Sequence, residues 1–93
     1  MVTYSSSDKA QRFDENPNVI PVPVIATFSK DGKVCPLYFA IEGIRIKIDN
    51  IKWKQEKMTH IEFRCETTLS DRVEEVILNY FIKEQIWTLN KKR

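Results

Sequence analysis

At 93 residues the chain is too short for two ordinary domains or a deep internal cavity, so a ligand would have to meet a surface groove or one face of a sheet. Its 42% hydrophobic and 30% charged residues are the balance of a soluble globular protein, and no apolar run reaches the length of a membrane-spanning helix. The formal charge of +2 permits contact with nucleic acid without arguing for it, because dedicated nucleic-acid binders concentrate basic charge far more.

Residues 1–18 are polar and aperiodic, with a serine run at Ser5-Ser6-Ser7, and read as a disordered or loosely packed tail whose only apolar anchors are Tyr4 and Phe13. The first 15 residues lack the apolar core of a signal peptide, which points to the cytoplasm, where Cys35 and Cys65 stay reduced. The folded domain is expected over residues 19–90, followed by a basic end, Lys91-Lys92-Arg93. Pro21 and Pro23 forbid a helix at its start and favour an extended edge segment.

From Val24 onward the pattern is β. Asp31-Gly32 predicts a tight turn, since Gly takes positive φ freely and Asp better than most. Folding there sets Phe28 opposite Cys35, Ala26 opposite Leu37 and Val24 opposite Phe39 on one inward face. A second turn at Glu42-Gly43 pairs Ile41 with Ile44, Phe39 with Ile46 and Leu37 with Ile48, and selects the same face of the middle strand. The next strand, Ile44 to Ile48, alternates isoleucines inward with Arg45 and Lys47 outward. Ile51 and Trp53 then share a face, with Lys52 and Lys54 opposite. A loop follows from Gln55 to Thr59. Beyond it Ile61, Phe63 and Cys65 alternate with Glu62, Arg64 and Glu66, and Thr67 to Asp71 reads as a connection. The last stretch has two readings. As a hairpin turning at Lys83-Glu84 it pairs Tyr80 with Trp87 and Leu78 with Leu89. As a helix over residues 71–84 it carries an apolar stripe of Val73, Val76, Ile77, Tyr80 and Phe81. The strand-loving Tyr80, Phe81, Ile82 and Thr88 favour the hairpin.

Six short strands joined by short turns predict a mainly β fold: a single antiparallel meander curled into a small barrel of five or six strands. The run from Asp31-Gly32 through Pro36-Leu37-Tyr38-Phe39 to Glu42-Gly43, with Ile44, Ile46 and Ile48 after it and the spacing of Leu78, Tyr80, Trp87 and Leu89, resembles uncharacterised bacterial small β-barrel proteins of SH3-like type. The resemblance spans residues 22–89. It implies a fold and carries over no catalytic or binding residue.

The chemistry-bearing residues are sparse. Cys35, Cys65 and the single histidine, His60, lack metal-ligand spacing, and both cysteines read as core filler, so no metal is expected. No cofactor is expected either, since Gly32 and Gly43 are the only glycines and each is needed for a turn. His60 has no evident orienting carboxylate, which argues against an enzyme; a thiol-dependent activity at Cys35 or Cys65 is the residual reading. Two surfaces compete. Tyr38, Ala40, Ile77, Phe81 and Ile86 fall on the face opposite the core and predict a protein interface, either with a partner or within a homodimer. The alternative is a strip for single-stranded nucleic acid formed by Arg45, Lys47, Lys52, Lys54 and Arg64, with Tyr38 as a stacking platform.

Overall fold

The computed structural model describes residues 19–90. The expectations for residues 1–18 and 91–93 lie outside these. Among the described residues there are eight strands and no helix: β1 (Val19–Pro21), β2 (Val24–Phe28), β3 (Val34–Ile41), β4 (Ile44–Lys47), β5 (Asn50–Glu56), β6 (His60–Leu69), β7 (Arg72–Phe81) and β8 (Ile86–Asn90). They form a five-stranded antiparallel sheet, β1-β8-β7-β6-β5, and a three-stranded one, β2-β3-β4.

The chain crosses between the sheets twice. At Val22 and Pro23 the Val22 amide donates to Trp87 O (3.1 Å) in one sheet, while Pro23 O accepts from the Ala40 amide (3.1 Å) in the other. At Ile48 and Asp49 the Ile48 amide reaches back to Leu37 O (2.9 Å) and the Asp49 amide reaches forward to Glu66 O (2.9 Å). The ladders therefore divide at these bends, and no closed barrel is found. The mainly β, antiparallel expectation holds at that level. The inner faces meet in a core of Phe39, Ile46 and Val34 from the three-stranded sheet and Phe63, Cys65, Leu78 and Leu89 from the five-stranded one. β1 pairs Ile20 with Leu89 at the edge, where Pro21 costs little ladder bonding.

Two hairpins form in the expected register. Ile41 pairs with Ile44 and Phe39 with Ile46 across a two-residue turn in which Glu42 (φ 52°) and Gly43 (φ 81°) are both left-handed. Tyr80 pairs with Trp87 and Leu78 with Leu89, which removes the helical reading of residues 71–84. The stretch Thr67 to Asp71 is strand as far as Leu69, then a two-residue turn at Ser70 and Asp71 (φ 51° and 65°). The predicted loop at Gln55 is strand as far as Glu56.

Two register slips move side chains from their expected faces. Asp31-Gly32 does not make a two-residue turn. Ser29 Oγ accepts from the amides of Asp31 (3.2 Å) and Lys33 (3.0 Å), and this wider loop pairs Phe28 with Val34 and Thr27 with Cys35. A bulge opposite Ile25 and Ala26 restores Val24↔Phe39 and leaves Leu37 without a partner on β2 and 37% exposed, while Pro36 takes the inward position. The second bulge, between Ile51 and Trp53, keeps Ile51 opposite Cys65 but turns Trp53 outward beside Arg64. Ile44, expected inward, is 65% exposed because it borders the turn beyond the facing sheet.

Candidate functional site

The outer face of the three-stranded sheet gathers the residues able to hold a ligand. Register places Ile25 beside Tyr38, Tyr38 beside Lys47 and Ala40 beside Arg45, all turned away from the core. The Arg45 guanidinium lies 5.7 Å from the Tyr38 ring centroid, within cation–π range. Between them runs an open groove of about 270 Å³, walled by Pro23, Ile25, Tyr38, Ala40 and Arg45. Its walls are mainly apolar, Ile25 is 50% exposed, and Arg45 is its one charged residue. A second groove of about 500 Å³ follows the free edge of β4, between Ile44, Arg45, Ile46 and Lys47 on one side and Thr68 and Leu69 on the other.

The five residues of the predicted interface do not form one patch. Tyr38 and Ala40 lie on this face. Ile77, Phe81 and Ile86 lie on the outer face of the five-stranded sheet, where Phe81 pairs with Ile86 and stacks on His60 at 4.8 Å. All five are half-buried.

The predicted basic strip is also divided. Arg45 and Lys47 belong to the three-stranded sheet, and Lys52, Lys54 and Arg64 to the five-stranded one. The second group meets carboxylates: Lys52 lies 3.8 Å from Glu66 and 3.9 Å from Glu75, Arg64 3.7 Å from Glu75 and Lys54 3.7 Å from Glu56. Arg64 also covers Trp53, 5.1 Å from its ring centroid. Such exposed pairs contribute little stability, yet they cancel the charge that a phosphate backbone would need. Among the described residues Arg45 and Lys47 have no such carboxylate partner.

The remaining chemistry is quiet. Burial, with a smaller contribution from nearby Cys35, pushes the Cys65 thiol from 9.0 up to about 12, so it stays protonated and weakly nucleophilic at neutral pH. His60 Nδ1 lies 3.0 Å from Thr59 Oγ1, with Phe81 against its ring, so its neighbours are a hydroxyl and an aromatic face. Among the described residues no three His, Cys, Asp or Glu side chains converge on a metal position. Among the described residues no helix is long and apolar enough to cross a membrane. Comparison with protein-family profiles, curated proteins and solved structures returns no match.

Sequence reasoning missed the edge groove, because it depends on where the two sheets part. The neutralisation of Lys52, Lys54 and Arg64 was half visible as alternating charge, but Glu75 enters only through the β6–β7 register.

Proposed function

We propose that this protein is a non-enzymatic protein-interaction module of small-barrel type, which receives an extended segment of a partner against its three-stranded sheet. The observation that carries the reading is the groove of Ile25, Tyr38 and Ala40 with the uncancelled Arg45 held over the Tyr38 ring. An apolar side chain beside a carboxylate suits that combination, because desolvating the aromatic face strengthens the neighbouring charge interaction. The SH3-like barrel reading draws support from the chain path: each consecutive hairpin is antiparallel, and β1 returns to pair with β8. The cytoplasmic setting belongs to the same reading.

A second reading, sequence-tolerant binding of single-stranded nucleic acid, is favoured only by the pair Arg45 and Lys47 flanking Tyr38 on one face. Two titrations separate the readings. Short acidic peptides should shift the amide resonances of Ile25, Tyr38, Ala40 and Arg45, and Tyr38→Ala should abolish the response while Tyr38→Phe preserves it. A fluorescent oligothymidylate that binds at low salt and dissociates at high salt, with no response to any peptide, would replace the first reading by the second. Sedimentation should find a monomer; a concentration-dependent dimer buried at this face would make the partner a second copy.

A further inference from the structure

We propose that β4 and the end of β6 border a slot for an inserted strand, supplied by another protein as an extended segment in which apolar residues alternate with Asp or Glu. The inference rests on the protein-interaction reading and gives it a partner chemistry.

The slot lies where the sheets part. β4 is an edge of the three-stranded sheet, and β6 runs on through Thr67–Leu69 beyond its last pairing with β5, Asn50↔Glu66. Backbone groups point to alternate sides along a strand. The Ile48 amide donates to Leu37 O (2.9 Å), so Ile46 and Ile48 direct their backbone groups toward β3. Those of Arg45 and Lys47 therefore face the opposite way, into the slot. On the other border Glu66 O accepts from the Asp49 amide (2.9 Å), and Thr68, two residues on, points the same way. No backbone hydrogen bond outside the existing ladders involves Arg45, Lys47 or Thr68 among the described residues. A strand laid along β4 would extend the three-stranded sheet, with the end of β6 closing the far side of the slot, the strand-addition mode of peptide capture.

Side-chain chemistry selects the occupant. The groove of about 500 Å³ has Ile46 and Leu69 at its inner side, so inward residues of the guest must be apolar. Outward residues meet Arg45 and Lys47, which have no carboxylate partner, whereas Lys52, Lys54, Lys57, Arg64 and Arg72 are each paired. Two acids also border the groove. Asp49 accepts a hydrogen bond from the Thr68 hydroxyl (2.7 Å) and Glu42 sits in the turn, so the acids lie at the two ends of the groove and the cations Arg45 and Lys47 between them along β4. A second copy is the wrong guest: antiparallel pairing of β4 with itself about Ile46 sets Arg45 opposite Lys47, and like charges directly opposite repel.

The test titrates the isotope-labelled full chain with a capped hexapeptide alternating valine and glutamate. A valine–lysine counterpart and a glutamate peptide N-methylated at alternate amides serve as comparisons. The glutamate peptide should bind and slow amide exchange at Arg45 and Lys47 by about tenfold or more. The lysine and N-methylated peptides should fail, and joint Arg45→Glu and Lys47→Glu substitution should reverse the charge preference. Binding with shifts confined to Ile25, Tyr38 and Ala40 would sink the slot and leave the interaction reading standing. Absence of binding up to millimolar peptide would also sink the slot. A response to oligonucleotide alone would sink both. Protection of the same amides that grows with protein concentration, without peptide, would assign the slot to a second copy and overturn the proposal.

Discussion

Two buried residues show how single side chains set the limits of this fold. Thr67 is fully buried on the inner face of β6, and its Oγ1 has no hydrogen-bond partner. An unsatisfied buried hydroxyl costs about 1–3 kcal/mol, so Thr67→Val, which keeps the shape and removes the polar atom, should stabilise the protein by about 1 kcal/mol in urea denaturation. Cys65 acts through pH. Its folded pKa of about 12 lies above the ordinary 9.0, so the protonated thiol is favoured in the native state. Its stabilising contribution is complete below pH 9 and is lost as pH rises toward 12. Alkaline denaturation should begin in that window, and Cys65→Ala should flatten the slope there even though it leaves a small cavity. Thiol reagents at neutral pH should modify Cys65 only as fast as the chain unfolds. The inward face of Cys65 was legible from simple alternation with Arg64 and Glu66; the lack of a partner for Thr67 was not, because it depends on what the opposite sheet presents.

At the scale of elements, the reversals at Glu42-Gly43 and Lys83-Glu84 were readable, while the wider loop at Asp31-Gly32 and the bulges were not. Glu42-Gly43 carries its own signal, a glycine free to take positive φ, and the hairpin formed in the expected register. Lys83-Glu84 is poor turn chemistry, yet the aromatic pairing of Tyr80 with Trp87 fixed the register across it. The bulges each insert one residue with little mark in composition. Pro36, which has no amide to give to a ladder, was the one available warning that β3 would not pair evenly with β2. Lys52 offered none, so Trp53 appeared on the wrong face. The turn at Ser70 and Asp71 places two non-glycine residues at positive φ, a strained choice for a two-residue hairpin. Replacing them by Asn and Gly should relieve that strain and raise stability by about 1 kcal/mol, read as a higher Tm with unchanged fold. A lower Tm would mean that the serine and aspartate side chains stabilise the turn in a way that their backbone angles do not reveal.

For the whole molecule, the proposed function depends on which backbone edges the fold leaves open. The chain returns β1 to β8, and its two crossings tie both sheets to one core, but the sheets separate along β4 and the end of β6. The apolar pattern could reveal Phe39 and Ile46 as core, because period-two alternation reports which side of a strand is buried. It could not reveal which edges lack partners, because that depends on where each strand stops pairing. The most direct measurement is therefore residue-resolved hydrogen exchange of the free chain under native conditions. Amides of Ile46 and Ile48, bonded within the three-stranded sheet, should exchange slowly, while those of Arg45 and Lys47 exchange close to the rate of an unstructured chain. Equal protection of all four would mean that the β4 edge is already occupied and would contradict the surface on which this account of function stands.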